Sequence, residues 1–371
     1  MRRIHLLLAA LSLFTISSIA LAFQDRKPEG NALSAETRKA TLEQIGTELE
    51  TRYVFPEVGK KMKEHLLELG KNGTLDQITS GDDLAKRLTD ELQGISKDKH
   101  LRVGYSAERA PGQGNPAQRS ISQDMRSQQL ATNHGFMKLE RLPGNIGYID
   151  LRGFMDPSMG ADTVKATFDF LANTDALIFD LRKNGGGMPT MIRLICSYLF
   201  DETPVHLNSI YSRLEDKTEE YWTLKTVPGK RYLNKDVYIV TSAFTFSGAE
   251  EFTYNLKNLK RATVVGETTG GGAHPVMRRP IGEHFSVMVP FARAINPITK
   301  TNWEGTGVTP DVQCSAEEAF DKAYQMAVEK LKASKDAAVS KRVTVDLEDT
   351  KRREQRIQEL RERNLKDHGG K

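Results

Sequence analysis

Residues 237–275 read VYIVTSAFTFSGAEEFTYNLKNLKRATVVGETTGGGAHP, and their pattern decides the fold. Val237–Ser242 is a β-rich, apolar run and reads as a strand. A short turn carrying Ser247 follows. Ala249, Phe252, Leu256 and Leu259 then recur at spacings of three and four, which predicts a helix with one apolar face. Ala262–Gly266 is a second strand, and it runs into Gly270-Gly271-Gly272. A serine on a strand-to-helix turn lies at a helix N-terminus. Unpaired amides and the positive end of the helix dipole are there to favour an oxyanion.

The same residues allow a plainer role. Ser247-Gly-Ala-Glu250 is also a capping box, in which a serine and a glutamate satisfy the first amides of a helix. Thr245 and Ala249 flank the site where G-x-S-x-G would need glycines, so the α/β-hydrolase elbow does not fit. A catalytic reading therefore needs support from elsewhere in the chain.

Moving outward, Asn145–Arg152 reads as a strand, Ala161–Asn173 as a helix and Ala176–Arg182 as a nearly all-apolar strand, as in a buried parallel sheet. This last strand breaks at Gly185-Gly186-Gly187 before a helix over Pro189–Leu199. Strands alternating with crossover helices predict an α/β core over 136–334. His284–Ala294 reads as a more exposed strand and Ala316–Leu331 as a helix. Before the core, Ala35–Tyr53, Pro56–Leu69 and Gly81–Leu92 read as helices of a small N-terminal domain, 35–105. It ends in a loop bearing His100 and a short strand. Residues 106–135 are polar and read as a linker. Residues 335–371 are dominated by charge and read as a solvated, partly disordered helix, dispensable to the core.

Residues 1–22 have the form of a signal peptide: Arg2-Arg3, an apolar run from Leu6 to Leu21, and Ala20-Leu21-Ala22 as a cleavage site. Cleavage would leave a mobile mature start over 23–34, an exported (periplasmic or extracellular) protein, and no membrane span after signal removal. With 53 Lys and Arg against 49 Asp and Glu, the chain is near neutral, which argues against a nucleic-acid partner. Cys196 and Cys314 are the only cysteines and read as buried free thiols. No metal-ligand spacing occurs, so neither metal nor cofactor is expected. The oligomeric state is not legible.

Acyl transfer needs a nucleophile, a base, a group that orients the base, and oxyanion donors. Ser247 is the candidate nucleophile. His100 and His274, both in loops at strand ends, are candidate bases. Glu304 is a candidate orienting carboxylate, and Gly186, Gly187 and Gly248 can offer amides. His274 follows a glycine run that reads as flexible, whereas His100 is mounted on a strand.

Taken in order, Lys99-His100, Asp180-Leu-Arg-Lys-Asn-Gly-Gly-Gly187, Ser247-Gly-Ala-Glu250, Gly266-Glu-Thr-Thr269 and Glu304-Gly-Thr-Gly-Val-Thr-Pro-Asp311 resemble the tail-specific (C-terminal-processing) serine peptidase family. The resemblance spans about residues 35–330 and is greatest to the branch with interphotoreceptor retinoid-binding protein and the tricorn core. It implies a crotonase-like α/β spiral core behind a helical N-terminal domain. It implies peptide or protein substrates and an acyl-enzyme on Ser247. The oxyanion would be held by the Gly248 amide and an amide of the Gly185–Gly187 loop. Members with a Ser/Lys dyad carry their lysine after G-E-T-T, where this chain has Gly270-Gly271-Gly272. The resemblance thus points to a Ser/His/Glu set and carries His100 over as base and Glu304 as its partner. A PDZ domain, frequent in the family, is not expected, because 106–135 is too short. A non-catalytic module binding a retinoid- or lipid-like ligand on the same fold is the alternative.

Overall fold

The computed structural model describes residues 33–107 and 123–368. The expected signal peptide and nearly all of the mature start lie outside the described residues. Three helices open the described chain: α1 (Ala35–Arg52), α2 (Pro56–Lys71) and α3 (Gly81–Ser96). Ser34 and Ser80 cap α1 and α3, each accepting from a backbone amide three residues on. The helices lead into β1 (Arg102–Tyr105). A short helix, α4 (Gln123–Ala131), then precedes the central sheet.

Six strands form that sheet. They are β2 (Phe136–Leu142), β3 (Ile146–Leu151) and β4 (Ala176–Asp180), then, beyond the β5–β6 hairpin (His206–Ser212, Lys217–Trp222), β7 (Asp236–Thr241), β8 (Thr263–Gly266) and β12 (Val312–Gln313). The spatial order is β12-β8-β7-β4-β3-β2. Only the β2–β3 pair is antiparallel. Helices α5 (Pro157–Leu171), α6 (Pro189–Ser197) and α7 (Gly248–Asn258) connect the parallel strands and pack on one face. Helix α8 (Ala316–Lys332) and the start of α9 (Ala337–His368) cover the other. Every residue of β4 is buried, because helices lie on both sides of it. The loops that leave the C-terminal ends of β3, β4, β7 and β8 carry residues 152–156, 181–188, 242–247 and 267–275. In a parallel sheet such loops make the site.

Several expectations change. The N-terminal helices do not close on themselves. Their core is completed by Ile281, Phe285, Val287 and Val289, from β9 (Val276–Ile281) and β10 (Phe285–Pro290). Strand β1 pairs with β10, and residues 33 onward cluster as one compact unit in which the helical N-terminal region shares its packing with later strands. Short amphipathic helices bury too little on their own, and the hairpin supplies the missing apolar face. The stretch read as one strand over His284–Ala294 is two, β10 and β11 (Ala292–Ile295), which join different sheets. The linker contains α4. Cys196 is buried and Cys314 only partly so; both are free.

The charged tail is also different. Helix α9 docks by its first turns: Val343 is fully buried, and Leu347 packs against the sheet-face cluster. Asp346 pairs with Arg141 at 2.8 Å and accepts from the Gly144 amide at 2.7 Å. Arg342 pairs with Asp175. Charge density hid a short apolar edge made by Val339, Val343 and Leu347. From 351 to 363 every residue is exposed. Deleting 335–371 is therefore expected to destabilise the protein by about 2–5 kcal/mol, the range for lost core side chains. Deleting 352–371 should change stability by less than ~0.5 kcal/mol. Denaturant melts of the two truncations check this.

Candidate active site

Ser247 is the N-cap of α7, with φ 53° and ψ −120°. Ser34, Ser80 and Ser315 cap other helices of this chain in the ordinary extended conformation, with φ between −97° and −65°. Capping alone does not need the strained geometry of Ser247. The capping-box pairing is nevertheless present: the Ser247 amide donates to Glu250 Oε2 at 2.8 Å. The hydroxyl completes the box pattern loosely, without a side-chain capping hydrogen bond.

The turn before Ser247 is fixed on the end of β4. Ser242 Oγ donates to the Arg182 carbonyl, Thr245 Oγ1 to the Leu181 carbonyl, and the Phe246 amide to the Asn184 carbonyl. The Gly185–Gly187 loop lies directly against it. A Cβ on Gly186 would sit 2.8 Å from both the Gly248 nitrogen and Ser247 Cβ; one on Gly187 would sit 2.1 Å from the Phe154 carbonyl oxygen. Both residues have left-handed φ, 113° and 141°, so glycine is required for space and for conformation.

The Gly186 amide donates to Asn184 Oδ1 at 2.9 Å and is therefore committed within its own loop. That removes it from the expected oxyanion donors. The Gly187 and Gly248 amides remain and have no acceptor among the described residues. They are close neighbours, since a Cβ on Gly248 would lie 2.9 Å from the Gly187 nitrogen.

His100 reaches this turn from the N-terminal helices. Its ring lies 4.6 Å from that of Phe246, the residue before Ser247. Gly272 makes the room: a Cβ there would sit 2.3 Å from the Phe246 ring and 2.7 Å from His100 Cε1. Burial pulls the His100 imidazole down to about 4. Its Nδ1 is buried without a partner, and so is Glu304 Oε1. Atoms of Asp98, His100 and Glu304 lie within 4.8 Å of one another. Burial, and next the Asp98 charge, push the Glu304 carboxyl up to about 7. The same three side chains could hold a divalent ion, which would engage the His100 ring that packs on the Ser247 turn.

Two further groups complete the cluster. Asp98, which is buried, accepts from the His100 amide, from Tyr53 Oη and from His274 Nδ1, the last at 2.6 Å. His274 Nδ1 is also 3.5 Å from Glu304 Oε2. His274 thus bridges two carboxylates and packs on Phe55, whereas His100 packs on the serine turn. The expected flexibility around His274 is not found. Glu250 accepts from the Gly271 and Gly272 amides and from Thr269 Oγ1, while Trp303 Nε1 donates to the Gly272 carbonyl. Lys99 Nζ donates to the Gly270 carbonyl. The glycines hold a tight path rather than a mobile one. Sequence reasoning missed Asp98, Glu250 as a tertiary acceptor, and Asn184. Asp98 had one legible signal, its place two residues before His100, from which an aspartate can accept the local amide.

With fold and site described, comparison with known proteins adds the following. Residues 145–314 match the family model for peptidase family S41. Residues 32–137 match the model for the N-terminal domain of Peptidase_S41 in eukaryotic IRBP. A putative peptidase from Parabacteroides merdae is similar in fold, with TM-score 0.56 and 18% identity over 78% of this chain and 96% of that one. Mature CPAF complexed with lactacystin gives TM-score 0.53 and 13% identity over 81% and 98%. A lipoprotein from Streptococcus agalactiae gives 0.52 and 13% over 79% and 96%.

The strain at Ser247 makes a separable prediction. Ser247→Gly should raise stability by roughly 1 kcal/mol, since glycine adopts this backbone without cost and the Glu250 contact to the amide is kept. A serine that served only as a cap would lose a few tenths of a kcal/mol instead. Thermal melts of the parent and Ser247→Gly distinguish the two.

Proposed function

From the premise that the chain belongs to peptidase family S41, and is a serine-type peptidase, we propose that it cleaves peptide or protein substrates through an acyl-enzyme on Ser247. His100 is the base, Glu304 orients it, and the Gly187 and Gly248 amides receive the oxyanion. The observation that carries this reading is Ser247 itself, strained at φ 53° on a helix N-terminus and faced by two unpaired amides.

The steps follow from the residues. His100, neutral above about pH 4, takes the Ser247 proton as the oxygen attacks the scissile carbonyl. The carbonyl oxygen becomes an anion between the two amides at the positive end of α7. The imidazolium that forms is stabilised by Glu304 once its carboxyl has lost its proton. His100 then returns the proton to the leaving amine, and a water repeats the sequence on the acyl-enzyme. Asp98 and His274 position the pair: Asp98 holds the His100 backbone, and His274 stands between Asp98 and Glu304. Export belongs to the same proposal and rests on the Arg2-Arg3, apolar, Ala20-Leu21-Ala22 pattern. No helix among the described residues is long and apolar enough to cross a membrane.

Fluorophosphonate labelling tests the reading. The parent should label at Ser247, His100→Ala should lose labelling and turnover by several orders of magnitude, and His274→Ala should lose less. An unlabelled parent favours a binding module, and a dead His274→Ala beside an active His100→Ala transfers the base to His274. The intact mass of labelled, exported protein should correspond to a start near Phe23.

A pH profile tests the carboxylate. With His100 neutral above about 4 and Glu304 protonated below about 7, kcat/KM should rise as pH increases through about 7. Glu304→Gln should lower the rate by roughly 10²–10⁴-fold and leave it nearly flat from pH 5 to 8, because the limb that remains belongs to His100.

A further inference from the structure

Beside the catalytic cluster lies a cavity of about 400 Å³, walled by Phe55, His274, Arg293, Ile295, Lys300 and Glu304. Its placement matters, because Glu304 and His274 belong both to it and to the proton-handling cluster. A group bound there lies within reach of a peptide whose scissile bond is at Ser247.

Arg293 is the unusual wall. It sits on β11 directly opposite Tyr211 on β5, and its guanidinium lies 5.2 Å from the Tyr211 ring and 5.8 Å from the Phe55 ring. Two aromatic faces hold the cation in place. They do not satisfy its N–H groups: Nε is buried without a partner, and no carboxylate pairs with Arg293 among the described residues. Elsewhere partly buried arginines find acceptors: Arg182 on Asp180, Arg279 on Glu48, and Arg261 on the Leu199, Tyr232 and Lys235 carbonyls. Lys300, exposed at the rim, adds a second positive charge. The acid facing both is Glu304, whose Oε2 already accepts from the Ala273 amide at 2.5 Å. Phe55, Ala294 and Ile295 give the rest an apolar lining. A fixed, unneutralised fork of donors above an apolar wall matches a ligand with a short aliphatic stem and a carboxylate end.

We propose that this cavity is a specificity subsite for an acidic residue of the peptide substrate, glutamate above all, with Arg293 as the residue that recognises it and Lys300 as a secondary attraction. The proposal rests on the peptidase reading for its meaning, but its test does not need turnover.

The test uses full-length Ser247→Ala protein, which cannot consume the probe. The probes are fluorescent N-acetyl hexapeptides of alanine in which one glutamate is walked through the six positions, each beside its glutamine counterpart. At one position or two adjacent ones, glutamate should bind about 10-fold more tightly than glutamine, the size expected of a charge-assisted hydrogen bond. Arg293→Gln in the same background should bring that ratio to within about twofold of one. Arg293→Lys should keep part of it, because charge survives and the fork does not. Lys300→Gln, at an exposed position that does not threaten folding, should lower the ratio about two- to threefold. Thermal melts of each variant show that it is folded. Equal binding of glutamate and glutamine at all six positions overturns the proposal. So does a glutamate preference that Arg293→Gln leaves intact, or binding of free N-acetylglutamate with no gain in any peptide. Failure of the parent to label with fluorophosphonate would sink the peptidase reading separately and leave this binding result standing.

Discussion

One buried carboxylate ties the site together. Glu250, with no exposed surface, accepts from the Ser247 amide at the start of α7 and from Thr269 Oγ1, the Gly271 amide and the Gly272 amide in the loop after β8. Burial raises its carboxyl, and four donors oppose that rise. The charge is costly to bury and is tolerated because its lone pairs are taken by donors from two separate segments. The consequence is positional. The helix end that carries the nucleophile and the loop against which His100 packs are held to the same oxygens. Moving either one leaves a buried acceptor or a buried amide unpaired.

The second constraint is electrostatic. Two histidines and two carboxylates share one partly buried volume, and their tendencies are opposed. Glu304 holds its proton up to about 7, against an ordinary 4.5. The stability this gives is fully present below 4.5 and is lost as pH rises through about 7. His100 titrates near 4 instead of 6.5. Its neutral form is the one the fold favours, so its share is present above 6.5 and is lost as pH falls towards 4. The resting site therefore favours the uncharged pair, while the proposed reaction needs Glu304 ionised and turns His100 into an imidazolium. The orphaned Nδ1 and Oε1 fit that reading. They are partners waiting for the charge that joins them, and such contacts tighten only when substrate is bound.

Much of this was legible in the chain. The nearly all-apolar run at 176–182 reads as a strand covered on both faces, and β4 within it is one. The serine turn and the glycine loop both read as strand-to-helix breaks, and they follow β7 and β4. The misses share a cause. Ser-x-x-Glu is complete as a local motif, so nothing in it shows that Glu250 also serves residues 269–272. Lys-Asp-Lys-His100 looks like a solvated loop until a histidine 176 residues away meets Asp98. Val343 and Leu347 are two apolar residues in a highly charged helix. Only the sheet face already crowned by α8 makes them core. In each case the deciding partner lies far along the chain, where periodicity gives no information.

That long-range character also changes how the site is assembled. The proposed nucleophile Ser247 and the proposed base His100 come from distant segments of the chain, which suggests two domains closing on a substrate. The packing argues otherwise. Leu101 and Val103, which follow His100, are buried in the same cluster as Val287 and Val289 of β10, and the backbone of β1 is hydrogen-bonded to β10. Arg213, just beyond β5, donates to the Tyr53 carbonyl between α1 and α2. Separating the N-terminal helices from the β9–β10 hairpin would cost a hydrophobic core and a strand pairing together, and parting them from the loop after β8 would break the Asp98–His274 and Lys99–Gly270 contacts. His100, the proposed base, is therefore held against the serine turn, with its ring confined by Phe246 and Gly272. What remains to move in the proposed reaction is small: the side chains of His100 and Glu304, and the proton that His100 takes from Ser247. A site built in this way gives up adaptability for geometry held ready in advance, which is where most of the rate of acyl transfer is found.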